Sequence, residues 1–190
     1  MNNYEIVGAV TGLLCVWLAA RQNVWTWPIA LISVVCYFVF FYQIRLYADM
    51  WLQIFFFGSN LYGWYEWLHG GKNKSELPVT RLKIMHIWLV LVIGFVTSGL
   101  LALYFQSFTN ASYPWLDSVL AAFSVLAQIL LTRKKIENWV IWLLVDIVYV
   151  GLYWKKEAPL TAGLYFIFLI IAVQGFLEWK KSMKVPEPAV

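Results

Sequence analysis

The sequence Trp139-Val-Ile-Trp142-Leu-Leu-Val-Asp146-Ile-Val-Tyr149 contains one carboxylate in an otherwise apolar run. On a helix, which turns by about 100° per residue, five residues of this region fall within a sector of about 80°. They are Trp139, Trp142, Asp146, Tyr149 and Tyr153. At a rise of about 1.5 Å per residue, Asp146 is about 10 Å from either end of this stripe, which is near the middle of a membrane span. Acids at that depth are rare and usually functional, although a polar group there can also bond structurally to a neighbouring helix.

The rest of the chain is similarly apolar. It has 190 residues, of which 62% are hydrophobic and only 13% are charged, and this composition excludes a soluble domain. Polar and apolar residues do not alternate as in barrel strands, so we expect an all-α integral membrane protein with seven transmembrane helices. The apolar runs that predict these helices are 6–20, 25–42, 51–68, 84–105, 119–131, 139–154 and 160–176.

The basic residues indicate how the chain is oriented. All but three of the 14 Lys and Arg residues fall on one side of the predicted helices, and the other three are Arg45, Lys155 and Lys156. Because cytoplasmic loops are enriched in Lys and Arg, we expect the N-terminus outside and the C-terminus in the cytoplasm. The net charge of +4 therefore reflects topology, and no nucleic-acid partner is predicted. No basic residue precedes the first apolar run, which argues against a cleaved signal peptide.

Residues of the first third of the chain match residues of the last third at a constant offset of 112 positions. The matched pairs that are not aliphatic are Arg21 and Arg133, Trp27 and Trp139, Tyr37 and Tyr149, Gly63 and Gly175, Glu66 and Glu178, and Trp67 and Trp179. The offset predicts two parallel three-helix repeats joined by a linker helix, a 3+1+3 arrangement like that of SWEET transporters. The expected divisions are a first repeat at 1–70, a cytoplasmic loop and linker helix at 71–110, a second repeat at 111–182 and a cytoplasmic tail at 183–190. This architecture places a ligand site between the repeats near mid-membrane.

Polar side chains on three other helices are further candidates for that site. On the predicted third helix, four residues lie within about 60° of one another, namely Gln53, Asn60, Trp64 and Trp67. Gln128 lies deep in the fifth helix, and Tyr165 of the seventh helix occupies the position that repeats Gln53. The alternative for the amides is an interhelical hydrogen-bond seam, which such side chains often form in membranes.

Catalysis has little support in the sequence. No Gly-rich phosphate loop is present, and His69 and His86 lack the spacing of metal ligands. A single deep acid provides no acid–base pair. Cys15 and Cys36 lie within apolar runs, where we expect small buried side chains rather than a disulfide or a metal site. We therefore expect a protein that is not an enzyme and that holds neither a cofactor nor a metal.

Three longer motifs resemble the Pnu family of bacterial vitamin transporters. They are Tyr47-Ala-Asp-Met-Trp-Leu-Gln53-Ile-Phe-Phe, Asn60-Leu-Tyr-Gly-Trp64-Tyr and Thr132-Arg-Lys-Lys-Ile-Glu-Asn-Trp139-Val-Ile-Trp142. The resemblance covers nearly the whole chain, including the 3+1+3 arrangement. It implies uptake of an unphosphorylated vitamin across the bacterial inner membrane by facilitated diffusion, followed by trapping by a cytoplasmic kinase. The implied partners are the vitamin, the lipid bilayer and that kinase, and a homo-oligomer is compatible with the sequence.

The substrate expected from the resemblance depends on Asp146. The nicotinamide riboside branch resembles this chain at Gln53, Asn60, Trp139 and Trp142, but it typically has Asn in place of Asp146. A buried carboxylate favours a cation and can also bond an aminopyrimidine, and aromatic rings attract cations by about 2 kcal/mol or more when desolvated. Since the compact chain also resembles the thiamine branch, we expect thiamine, with nicotinamide riboside, itself a pyridinium cation, as the alternative. A rival of another class is the substrate-binding subunit of an ATP-driven vitamin importer.

Overall fold

The computed structural model describes residues 3–43, 47–108, 113–155 and 159–183, and this part of the chain contains seven α-helices. The helices are α1 (Asn3–Ala20), α2 (Thr26–Gln43), α3 (Tyr47–His69), α4 (Ile84–Phe108), α5 (Pro114–Thr132), α6 (Glu137–Lys155) and α7 (Pro159–Ser182). Each coincides with one predicted apolar run and extends beyond it at one end or both. The prediction of seven helices is therefore confirmed, whereas most of the tail predicted at 183–190 lies outside the described residues.

The outer surface of the helices is apolar. By length and composition, four described helical segments can cross a membrane, namely Thr26–Gln43, Ile84–Phe108, Pro114–Thr132 and Ala162–Ser182. On α4, large side chains such as Trp88, Phe95 and Phe108 are mostly exposed. A soluble protein rarely exposes apolar surface on this scale, whereas a lipid bilayer covers it favourably. The chain is therefore a multi-pass membrane protein.

Neighbouring helices pack in two groups. In the first, α2 packs against α1 and α3; in the second, α6 packs against α5 and α7. The groups meet where α1 contacts α7 and where α3 contacts α5, while α4 packs along α5. The six helices other than α4 thus enclose a common interior.

Four buried indole rings form the centre of the packing, and we call Trp27, Trp67, Trp139 and Trp179 the tryptophan core. Trp27 meets Trp67 edge to face with the ring centroids 5.2 Å apart, and Trp139 meets Trp179 in the same way at 5.5 Å. Trp67 and Trp179 also contact each other across the two groups, with their centroids 5.8 Å apart. Edge-to-face pairs add about 0.5–1.5 kcal/mol to the burial of such rings.

Two glycines let the tryptophan core close. A Cβ atom at Gly63 would overlap the ring of Trp27, and one at Gly175 would lie 2.6 Å from the ring of Trp139. Real Cβ atoms do not approach other atoms so closely, so only glycine fits at either position without displacing a buried ring.

Two indole hydrogen bonds join the groups of helices to each other. Trp67 Nε1 donates to the carbonyl oxygen of Leu131 at 3.0 Å, and Trp179 Nε1 donates to that of Ala19 at 3.1 Å. The two donors are 112 positions apart in the sequence, and so are the two acceptors. Each indole is a second donor to a carbonyl near a helix C-terminus, in addition to a backbone amide of the turn that follows.

The turns after α1 and α5 have the same backbone conformation. Gln22 and Lys134, again 112 positions apart, adopt left-handed φ angles of 56° and 45°. The Gln22 amide donates to the carbonyl of Ala19 and the Lys134 amide to that of Leu131, each at 3.0 Å. The left-handed residue reverses the chain tightly, and the next helix therefore starts beside the end of the previous one.

The segment 77–82, which lies before α4, is packed onto the turn between α5 and α6. Thr80 donates its amide to the carbonyl of Lys134 at 3.1 Å and accepts from the amide of Ile136 at 3.1 Å. At its start, the amide of Leu77 donates to the carbonyl of Trp67 at 3.0 Å. This part of the predicted loop is therefore tied to both groups of helices.

Candidate functional site

A cavity of about 320 Å³ lies between the two groups of helices, in the size range of small-molecule sites. Six residues that the sequence predicted for a binding site line it: Asn60, Gln128, Trp139, Trp142, Asp146 and Tyr165. They come from α3, α5, α6 and α7. The structure therefore brings side chains from four helices to one cavity.

The other four predicted residues do not line this cavity. Gln53 lines a smaller neighbouring cavity between α2 and α3, and Trp64 packs against the tryptophan core. Tyr149 and Tyr153 stack on Tyr165, with ring centroids 4.4 Å and 5.4 Å away. Both tyrosines therefore support the ring of Tyr165 from outside the cavity.

Asp146 contributes the carboxylate of the cavity wall. It is only 4% exposed, and among the described residues no side chain forms an ion pair or hydrogen bond with it. Burying an ionised carboxylate without a partner is costly, in a membrane most of all. A cationic ligand in the cavity would provide the missing partner.

The amides of Asn60 and Gln128 form a pair at the cavity wall. Gln128 Nε2 donates to Asn60 Oδ1 at 3.2 Å, and both side chains are buried. This bond joins α3 to α5, as expected of an interhelical seam, yet both residues also line the cavity. The pair carries a further donor, the Asn60 amide group, and a further acceptor, the Gln128 carbonyl. It can therefore bond a ligand that has both kinds of polar group.

Side chains of α1 and α2, which the sequence did not predict, form the opposite wall. They include Cys15, Thr26, Trp27, Ala30 and Ser33. Thr26 Oγ1 donates to the carbonyl of Cys15 at 2.7 Å, and Ser33 Oγ donates to that of Gly8 at 2.8 Å. These bonds hold α1 against α2, so the wall is fixed by helix packing. Its residues are small or apolar and carry no chemical signal, but the offset of 112 relates Trp27 to Trp139 and could have identified it.

Two indole N–H groups of the cavity wall have no hydrogen-bond partner among the described residues. They belong to Trp27 and Trp139, each 1% exposed, at positions related by the offset. Leaving a buried donor unpaired costs about 1–3 kcal/mol, so two equivalent instances indicate a place where the packing can change or accept a ligand.

The cavity is therefore built for binding. It combines large aromatic surfaces, one carboxylate and a pair of amides, which suit a flat cationic molecule with a few polar groups. The described residues contain no group of side chains that could hold a metal ion.

A comparison with known families identifies relatives over almost the whole chain. A family model described as nicotinamide mononucleotide transporter matches residues 2–181. The nicotinamide riboside transporter PnuC of Escherichia coli is 30% identical, over 95% of this chain and 86% of its own length. The riboflavin/roseoflavin transporter RibM of Streptomyces davaonensis is 27% identical, over 92% of this chain and 83% of its own length.

A solved structure shares the fold. The crystal structure of the vitamin B3 transporter PnuC matches with a TM-score of 0.74 and 26% identity, over 95% of this chain and 82% of that chain. The likeness therefore includes all seven helices rather than one group of them.

Proposed function

Because this chain belongs to the nicotinamide mononucleotide transporter family, that is, the Pnu family of vitamin transporters, we propose that it carries a cationic, unphosphorylated B vitamin across the bacterial inner membrane by facilitated diffusion. The observation that carries the proposal is the cavity between the two groups of helices, where Asp146 has no counter-ion among the described residues and aromatic rings surround it. A cation that enters the cavity gains both an electrostatic partner and cation–π contacts.

Nicotinamide riboside is the first candidate substrate. Relatives of this chain are named as nicotinamide riboside transporters, which shifts the preference away from the thiamine expected from the sequence. The pyridinium ring of nicotinamide riboside is a flat cation, as the cavity requires. Thiamine stays the second candidate because Asp146 stands where the nicotinamide riboside branch typically has Asn. The neutral riboflavin that RibM is named for gains less from a carboxylate.

Six of the residues that line the cavity have a proposed role. The rings of Trp139 and Trp142 stack on the substrate ring, and the Asp146 carboxylate faces its positive charge. Asn60 and Gln128 bond the polar substituents of the substrate. Tyr165, supported by Tyr149 and Tyr153, closes the side of the cavity toward α7.

The proposed mechanism is alternating access between two parallel three-helix repeats, α1–α3 and α5–α7, with α4 as the linker. It is supported by the pairs of contacts at the offset of 112, which include the indole hydrogen bonds, the glycine contacts and the left-handed turns. Asp146 is the single acid among the described residues that line the cavity, and it offers no chain of acids for a proton, so transport is passive. A cytoplasmic kinase that phosphorylates the vitamin would then trap it.

The proposed orientation has the N-terminus outside and the C-terminus in the cytoplasm, with all seven helices spanning the membrane. It is supported by Arg21, Arg133 and Lys180, which lie at one end of the helices together with most of the other basic residues. The tryptophan core then lies on the cytoplasmic side of the cavity.

Uptake by the purified protein in proteoliposomes tests the proposal. We expect saturable entry of labelled nicotinamide riboside until the inside and outside concentrations are equal, without ATP. Trp142→Ala should abolish most of the uptake, whereas Trp88→Ala, an equal truncation on the exposed face of α4, should leave it intact. Accumulation driven by a proton or sodium gradient would contradict the passive mechanism, and a requirement for an added ATPase would favour the importer subunit.

A further inference from the structure

The two walls of the cavity are related position by position. Trp27 at the start of α2 and Trp139 at the start of α6 both line the cavity, and they are 112 positions apart. Phe56 of α3 and Phe168 of α7 are related in the same way and also line it. The cavity thus lies between equivalent surfaces of the two groups of helices.

One turn beyond the matched tryptophans, this equivalence is broken. Ala30 follows Trp27 by three residues and Trp142 follows Trp139 by three, and both line the cavity. One wall therefore carries one of the smallest side chains where the other carries the largest. A further turn along each helix, Val34 and Asp146 are also 112 positions apart, and both line the cavity.

The difference has a direct physical consequence. A tryptophan in place of Ala30 would put a second indole at the wall of the cavity that Trp142 also lines, whereas the methyl group of Ala30 takes up little of that volume. An aromatic ring that lies on Trp142 at van der Waals distance, about 3.5–4 Å, needs such a space. The wall formed by α6 carries the charge as well as Trp142, because the residue equivalent to Asp146 on α2 is the apolar Val34.

We propose that Ala30 is the residue that limits substrate size and fixes substrate orientation, because the substrate ring occupies the space between Ala30 and Trp142 with its charge toward Asp146. The inference rests on the proposed function, since it assumes that this cavity binds the substrate. It assigns a selective role to the wall formed by α1 and α2, which has no charged side chain among the described residues that line the cavity.

The test is a transposition of the aromatic ring from one wall to the other. Binding of nicotinamide riboside and of thiamine to purified protein is measured by isothermal titration calorimetry for Ala30→Val, Ala30→Trp, Trp142→Ala and the double variant Ala30→Trp/Trp142→Ala. A single methylene in a pocket changes discrimination by about ten- to two-hundredfold, so Ala30→Val should weaken binding by about tenfold or more. Ala30→Trp should abolish measurable binding, and the double variant should regain a large part of it.

The control is Ile32→Trp, which introduces the same side chain on α2 at a half-exposed position outside the cavity and should bind like the parent. Thermal unfolding of each variant establishes that it is folded, and Ala30→Val carries the test if Ala30→Trp does not fold. Parental binding by folded Ala30→Val overturns the inference while loss of binding in Trp142→Ala upholds the proposed site. A folded double variant without recovery also overturns the inference, and parental binding by Trp142→Ala overturns the proposed site itself.

Discussion

The two places where the groups of helices cross-link differ in how many contacts hold them. The first corner is defined here as the set Glu66, Trp67, Leu131 and Arg133. The second corner is the set related to it by the offset of 112, namely Glu178, Trp179, Ala19 and Arg21. Both corners contain an indole hydrogen bond to a carbonyl, at 3.0 Å and 3.1 Å. The hydrogen bond from an indole to a carbonyl is therefore the contact that both corners share.

Among the described residues, an ion pair between the Glu and the Arg of a corner is present in the first corner alone. Arg133 Nη1 lies 2.9 Å from Glu66 Oε1, whereas the related Arg21 lies over the ring of Trp17 and Glu178 is 3.9 Å from Lys181. The same residue types at equivalent positions thus make different contacts. Buried indole packing therefore defines both corners, whereas the charged side chains add contacts that differ between them.

The first corner is also covered by other groups. The segment 77–82 bonds to its turn, and the Lys134 ammonium lies 4.6 Å from the centroid of the Trp67 ring. Burial lowers the pKa of Lys134 below the ordinary lysine value, and the charge of Glu76 partly offsets the shift. The second corner has Gln22 at the position equivalent to Lys134. It therefore depends more heavily on its single indole bond.

The largest effect is expected at the glycines behind the two corners. Gly63→Ala and Gly175→Ala each place a Cβ atom inside a buried ring of the tryptophan core, and we expect each to lower the free energy of unfolding by about 3 kcal/mol or more. Thermal or denaturant unfolding in detergent measures both.

Two other glycines provide matched controls for this prediction. Gly58 on α3 and Gly163 on α7 have no atom within 4 Å of an added Cβ. Alanine at either position should stabilise the helix by about 0.5–1 kcal/mol. Equal stability of Gly63→Ala and Gly58→Ala would contradict the packing described for the tryptophan core.

An intermediate effect is expected when each indole donor is removed. Trp67→Phe removes one of the two hydrogen bonds that the Leu131 carbonyl accepts, and Trp179→Phe does the same at the Ala19 carbonyl, while the amides of Lys134 and Gln22 continue to donate. The loss of one such bond costs about 0.5–1.5 kcal/mol. The cost should be greater for Trp179→Phe because the second corner has fewer other contacts. A double variant measures the coupling between the corners, and a larger loss for Trp67→Phe would reverse the order drawn here.

The smallest effect is expected for the carboxylates. Glu66→Gln should lower the free energy of unfolding by about 0–1 kcal/mol, with less effect at high salt, because Arg133 is half exposed. Glu178→Gln should change it even less, since both partners of its long contact are exposed. A cost above 2 kcal/mol for Glu66→Gln would mean that the ion pair, rather than the indole, holds the first corner.

Much of the fold and one wall of the site could be predicted from the sequence. The apolar runs predicted the seven helices because lipid requires long apolar segments. Asp146 marked its wall because a carboxylate in an apolar run is conspicuous. The offset of 112 pointed to Trp27, Gly63 and Trp67 as well, whose packing the structure shows in full.

The rest depended on three-dimensional packing. Ala30 and Cys15 line the cavity through small side chains that give no signal in the sequence. Gln53 shares a helix face with Asn60, but it is seven residues away, about 10 Å along α3, where that face meets α2 instead of the cavity. The attachment of segment 77–82 relies on backbone hydrogen bonds, which no particular side chain predicts. A carboxylate among aromatic rings suits both candidate vitamins equally, because both are cations.

The central claim is that the cavity binds a cationic vitamin through Asp146, and calorimetric titration of Asp146→Asn with nicotinamide riboside and thiamine tests it most directly. The substitution keeps the shape of the side chain and removes its charge. A charge-assisted contact is typically worth about 1.5–3 kcal/mol, so affinity should fall about ten- to a hundredfold, with preference shifting toward nicotinamide riboside. Asp117→Asn, at the start of α5 and outside the cavity, should bind like the parent. Unchanged affinity of folded Asp146→Asn for both vitamins would contradict the claim.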